Sequence, residues 1–179
     1  MEQLVKKAKN HNKEAFEDLM QLQAQSMYKV AKAILKNDED VLDAMQETAL
    51  TCWEKIGTLK QERYFKTWLI RILINHCNEI CRQRKYTVSD EMILERGRQE
   101  ESFLNVEWQD FLSNLDVKHR TVVILYYVQE FKTREIAEIL KVNESTVRSR
   151  LAAAREKMER LYEKSGAAGH RRAASRGVG

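Results

Sequence analysis

The chain contains no proline, and among its first 165 positions glycine occurs only at Gly57 and Gly97. Folds built from many short strands and sharp turns draw heavily on both residues, so an all-helical chain with few tight reversals is expected. Cysteine is also scarce: three residues, an odd number without a disulfide framework, which fits a reducing compartment. Cys77 and Cys81 lie four apart beside His76, but a metal site needs a fourth ligand that the sequence does not offer, so both read as small buried hydrophobes. No stretch has the long uncharged apolar run of a membrane helix. The first twelve residues are polar and helix-like rather than a secretory signal, and a cytoplasmic location is expected. There is no Gly-rich phosphate loop, and His11, His76, His119 and His170 share no periodic face. No catalytic residue, metal, cofactor or small-molecule substrate is therefore expected.

What the chain does have is charge, 32% of its residues, distributed unevenly around a net +4. Between residues 65 and 87 the bases Lys66, Arg71, Arg82, Arg84 and Lys85 face a single acid, Glu79. Between residues 38 and 54 the acids Asp38, Glu39, Asp40, Asp43, Glu47 and Glu54 have no base among them. One surface suits a polyanion and another a basic protein.

Hydrophobic spacing divides the chain into two small helical domains. In the first, residues 1–85, Phe16, Leu19, Met20, Met27, Val30, Ala31 and Ile34 mark the core face of one or two helices. A second helix spans 40–56, a short loop 57–64, and a third helix 65–85 with Trp68, Leu69, Ile72, Leu73 and Cys77 inward. Residues 86–102 are acidic, lack an apolar stripe and read as a flexible linker. The second domain, 103–164, opens with Val106, Trp108, Phe111, Leu112 and Leu115 and has Val122, Val123, Leu125, Tyr126 and Val128 at its centre. The tail 165–179, rich in Gly, Ala and Arg without periodicity, is expected to be disordered.

The second domain ends in KTREIAEILKVNESTVRSRLAAAREKMERL. Ile136, Ala137, Ile139 and Leu140 give a first short helix its apolar side, residues 141–143 break the pattern, and Asn143 is suited to cap the next helix. In that helix Val147, Leu151, Ala154, Met158 and Leu161 form one buried stripe, while Arg148, Ser149 and Ala152 point away. A helix held by its back with a small, basic front suits the major groove, and the unit reads as a helix-turn-helix.

Taken together, DVLDAMQETALTCWEKI, FKTWLIRILINHCNEICRQRK and the helix-turn-helix, in this order, resemble the extracytoplasmic-function (group IV) sigma factors of bacterial RNA polymerase, in the sigma-70 family. The resemblance implies a first domain that docks on core polymerase and recognises the minus-10 element while the promoter melts, and a second that reads the minus-35 element. The implied partners are promoter DNA, core RNA polymerase through the clamp of its largest subunit and the flap of the second-largest, and a membrane-anchored anti-sigma protein that holds the factor in check in an envelope-stress response. Asp43, Gln46 and Glu47 fall where the family meets the polymerase clamp, opposite Leu42, Met45 and Ala49. Ile56, Gly57, Thr58, Leu59 and Lys60 fall where the family walls a pocket for an unpaired base, with Gly57 lending backbone freedom. Arg71 and Asn75 share a face suited to a phosphate and a base edge, and Arg82, Arg84 and Lys85 suit the duplex backbone. On the recognition helix, Arg148 suits a bidentate contact with guanine, flanked by Ser149 and by Ala152, whose methyl suits a thymine methyl. Arg150 and Arg155 suit phosphates, and Thr133 and Arg134 anchor the first helix to the DNA backbone. Where the family often has proline, Asp116 follows Leu115 as an expected N-terminal acid. A stand-alone dimeric helix-turn-helix regulator also explains the second domain, but not the acidic and basic helices of the first; a helical nucleic-acid enzyme would want a carboxylate cluster other than the helix start at Asp38, Glu39 and Asp40.

Overall fold

The computed structural model describes residues 1–87 and 106–174, which contain helices and no strand. The first domain comprises α1 (Glu2–Lys9), α2 (Lys13–Ile34), α3 (Asp38–Lys55) and α4 (Phe65–Thr87). Single 3-10 turns at Ile56–Thr58 and Glu62–Tyr64 make up most of the loop between α3 and α4. The second domain comprises α5 (Val106–Ser113), α6 (Val117–Val123) running into a π-helical turn (Ile124–Val128), α7 (Thr133–Leu140) and α8 (Glu144–Ala174). The expected linker falls, from residue 88 on, outside the described residues, as do residues 103–105 and 175–179.

Short polar residues set the helix starts. Asn12 accepts the Ala15 N–H at 2.8 Å and opens α2; Asn37 accepts the Glu39 N–H at 3.0 Å and opens α3. Asp38, Glu39 and Asp40 then occupy the first turn of α3, where the helix dipole favours acids. Asp116 does the same for α6: Oδ1 accepts from the backbone N–H of Lys118 at 3.0 Å and of His119 at 3.2 Å, and Oδ2 pairs with His119 Nδ1 at 2.7 Å. Two residues past the π turn Glu130 is left-handed (φ 59°), and the Phe131 N–H returns to the Leu125 carbonyl at 3.0 Å, so the wide turn closes on its own backbone.

In the first domain, fully buried Leu19, Val30, Val41, Ala44, Cys52, Phe65, Leu69, Leu73 and Cys77 form the centre of the core. Each large aliphatic or aromatic side chain removed from water contributes about 1.5–3 kcal/mol. Two details differ from the sequence expectation for α4. Ile72 and Trp68 are half-buried, whereas Ile70 and Ile74 are buried. The reason is that α4 packs on two sides, against α2 and α3 and against α7 of the second domain.

The two domains therefore share one continuous core, with α2 against α6 and α4 against α7. Polar contacts line the seam. Arg120 Nε donates to the Ala33 carbonyl at 2.7 Å, placing a cation at the C-terminal end of α2. Gln129, 5% exposed, bonds Ser26 through its side chain and accepts from Lys66 Nζ on its carbonyl at 3.0 Å.

At the far end α8 continues to Ala174, beyond the domain end expected at residue 164 and into the tail expected to be disordered. Ala167, Ala168, Arg171 and Arg172 are good helix formers, and an uninterrupted helix extends through Gly166 and Gly169 at the modest cost of glycine in a helix. Among the described residues no helix is long and apolar enough to cross a membrane, and no group of three or more His, Cys, Asp or Glu is placed to hold a metal ion.

Candidate nucleic-acid and polymerase interfaces

The helix-turn-helix is built as its spacing predicts. Val147, Leu151 and Ala154 are buried and Met158 and Leu161 pack at the edge of the core. The turn closes at Lys141, in the left-handed region at φ 54°, and the Asn143 carbonyl accepts the N–H of Thr146 at 3.0 Å and of Val147 at 3.3 Å to start α8. Arg148, Ser149, Ala152 and Arg155 are exposed on the other side, and Arg150 is half-buried.

These groups are partly held before any ligand arrives. Arg148 Nη2 donates to Glu144 Oε1 at 2.8 Å, and the same oxygen accepts from Thr133 Oγ1 at 2.6 Å. The Thr133 hydroxyl, and then Arg148, hold the Glu144 carboxyl below the usual glutamate range. Ser149 Oγ is turned back onto the Thr146 carbonyl at 3.0 Å. Arg155 Nε donates to the Tyr127 hydroxyl at 2.8 Å with its guanidinium 5.9 Å from the ring centre, a bond that raises the arginine's already high pKa. Arg134 is 84% exposed, with Glu138 at 3.7 Å.

In the first domain the loop after α3 does not present all five expected residues. Gly57, Thr58 and Lys60 are exposed, but Ile56 is fully buried and Leu59 is 7% exposed. These two apolar residues anchor the loop in the core, and any pocket wall there falls to Gly57, Thr58 and Lys60. Gly57 has no positive φ, and a Cβ placed on it meets nothing within 4 Å, so the expected backbone freedom is not what the loop uses. Arg71 and Asn75 lie on one side of α4; Asn75 is exposed and Arg71 half-buried, its Nε without a hydrogen-bond partner among the described residues. Arg82 pairs with Glu79, Arg84 reaches Asp40 at 2.6 Å, and Lys85 lies in the last turn of α4.

On α3 the buried stripe is Val41, Ala44, Thr48 and Cys52. Asp43, Gln46 and Glu47 are exposed, as expected. Leu42 is not opposite them in the core: it is 54% exposed, and Leu50, 60% exposed, joins it. Leu42, Asp43, Gln46, Glu47 and Leu50 thus make one mixed apolar and acidic face. The two leucines are functional candidates that the sequence pattern hides, because an interface leucine has the periodicity of a core leucine. Beside this face Asp43, Gln46 and Glu47 line a groove of about 530 Å³ whose other wall is α4, with His76, Glu79, Ile80 and Gln83. His76 Nε2 is 3.1 Å from Thr51 Oγ1.

Residues 19–87 match the family model for sigma-70 region 2, and residues 105–158 that for sigma-70 region 4. The chain is 30% identical over 131 residues to the RNA polymerase sigma factor SigV of Bacillus subtilis, covering 71% of this chain and 78% of that protein. It is 26% identical over 174 residues to the ECF RNA polymerase sigma factor SigW of the same organism, covering 87% and 93%. Among solved structures, the fold is shared with the sigma factor RpoE of Bartonella quintana in complex with the anti-sigma factor NepR (TM-score 0.72, 23% identity, covering 83% of this chain and 96% of that one). It is shared too with CnrH in complex with the cytosolic domain of CnrY (TM-score 0.66, 22% identity, covering 91% and 97%). With both regions in their order, each on its own helical domain, the chain belongs to the extracytoplasmic-function sigma factors of the sigma-70 family, the subunits that bind core RNA polymerase and direct it to promoters.

Proposed function

We propose that three surfaces of this sigma factor divide the work of initiation. The face of Leu42, Asp43, Gln46, Glu47 and Leu50 docks on the clamp of the largest polymerase subunit; its acids steer a basic partner and its two leucines supply the apolar contact. Gly57, Thr58 and Lys60, with Arg71, Asn75, Arg82, Arg84 and Lys85 on α4, engage the minus-10 element as it opens. Arg148, Ser149 and Ala152 read the minus-35 element from the major groove, with Arg150, Arg155 and Arg134 on its phosphates and Thr133, whose hydroxyl is donated to Glu144, addressing a phosphate through its backbone N–H. The factor performs no chemistry of its own, works in the cytoplasm in an envelope-stress response, and is held in check by a membrane-anchored anti-sigma protein. The anti-sigma part of this reading is supported by the solved relatives RpoE and CnrH, whose structures contain NepR and the cytosolic domain of CnrY.

The observation that carries the reading is the exposure of Leu42 and Leu50 beside three polar residues on α3, a face without a partner in a stand-alone DNA-binding regulator. Reversing charge at Asp43 and Glu47 together should weaken binding to bacterial core polymerase by about tenfold or more while leaving the helical circular-dichroism signal intact. Binding at wild-type strength by that variant would contradict the assignment of α3.

A further inference from the structure

This inference rests on the reading of Arg148 as the arginine that addresses a base. An arginine on an exposed helix face is a long, rotatable side chain, and a bidentate contact requires its guanidinium to arrive in one orientation. Here that side chain is 69% exposed yet not loose: Nη2 is bonded to Glu144 Oε1 at 2.8 Å, one helical turn back. The same oxygen receives the Thr133 hydroxyl at 2.6 Å, so the carboxylate fixing the arginine is itself fixed to α7. Glu144 is the first residue of α8, where the helix dipole also favours its negative charge.

We propose that Glu144 is a positioning residue for promoter recognition: through its one oxygen it ties α7 to the start of α8 and holds the Arg148 guanidinium in the orientation that meets the base. Five N–H donors are available on the guanidinium, and the contact to Glu144 leaves enough of them for both acceptors on the major-groove edge of guanine. Because the carboxylate is already engaged by Thr133, it costs little to keep the arginine oriented when DNA arrives.

The test uses the full chain assembled with core polymerase and a set of promoters carrying every single base change across the minus-35 element, comparing wild type with Glu144→Ala, Glu144→Gln and Arg148→Ala. Initiation is read on each promoter at two salt concentrations. Arg148→Ala should flatten preference at one base pair, and Glu144→Ala should reduce preference at that same pair by about tenfold with the salt dependence unchanged. Glu144→Gln keeps an oxygen acceptor for Thr133 and Arg148 and should retain most of the preference. A flattened profile with Arg148→Ala but a wild-type profile with Glu144→Ala, or an equal loss on every sequence with Glu144→Ala, would overturn the positioning role alone. An unchanged profile with Arg148→Ala would overturn the reading of that arginine and the positioning role with it.

Discussion

Lys66 and Gln129, 63 positions apart, meet across the two domains: the Lys66 ammonium donates to the Gln129 carbonyl at 3.0 Å and lies 5.1 Å from the Phe131 ring centre. Lys66 stands at the start of α4 and Gln129 immediately after the π turn that leads to α7, so this bond holds the basic helix of the first domain against the helix-turn-helix of the second. The Gln129 side chain bonds Ser26 of α2 at the same seam, and Arg120 closes its other end on the Ala33 carbonyl.

Removing the Gln129 side chain deletes its bonds to Ser26 and should destabilise the closed arrangement by about 1–3 kcal/mol. Small-angle scattering should show a larger radius of gyration for Gln129→Ala than for wild type at equal helical content. An unchanged radius would mean that apolar contact alone holds the domains together.

Asp116 supports α6 through its carboxylate. Its pKa is held below the usual aspartate range, first by the His119 backbone N–H and then by the His119 side chain and the Lys118 N–H. A lowered carboxylate contributes stability that is fully present above the ordinary aspartate value and is lost as pH falls through the lowered one. Asp116→Ala should therefore cost about 1 kcal/mol near neutrality, and the gap between the two melting curves should close on acidification. A gap independent of pH would assign the effect to something other than the charged cap.

Burial pushes the Cys52 and Cys77 thiols up to about 12, leaving almost no thiolate at neutral pH. Alkylation of the native protein, read by mass spectrometry peptide by peptide, should leave both unmodified at pH 8 and label both once denaturant is added. Rapid native labelling of Cys77 would contradict its place in the core between α3 and α4.

Lys141 adopts φ 54° and ψ 46° at the end of α7, a conformation that costs a residue with a Cβ more than it costs glycine. Lys141→Gly should raise stability by up to about 1 kcal/mol, measured by urea denaturation. A loss of stability would show that the lysine side chain contributes more than the backbone strain removes.

How much of this was legible in the sequence depended on what each helix packs against. In α8 one face meets the core and the other is polar, so Val147, Leu151 and Ala154 announce their burial by spacing. In α3 apolar residues lie on two faces, and the sequence pattern sets Leu42 opposite Asp43, Gln46 and Glu47; Val41, Ala44, Thr48 and Cys52 fill the buried face instead. The seam was invisible for a similar reason. Ile70 and Ile74 look like ordinary members of a hydrophobic helix, and the contact of Gln129 with Ser26 spans 103 positions with no local signature. Ile56 and Leu59, assigned to a base pocket by their position in the family pattern, follow the simpler rule that apolar residues in a short loop anchor it.

The measurement that bears most directly on the whole account is run-off transcription with bacterial core polymerase on a genomic promoter library, with and without this protein. New, protein-dependent start sites that share a two-part upstream motif are expected, and they should be lost with the Asp43 and Glu47 charge reversal. No new start sites, together with tight sequence-specific DNA binding in the absence of polymerase, would contradict that expectation.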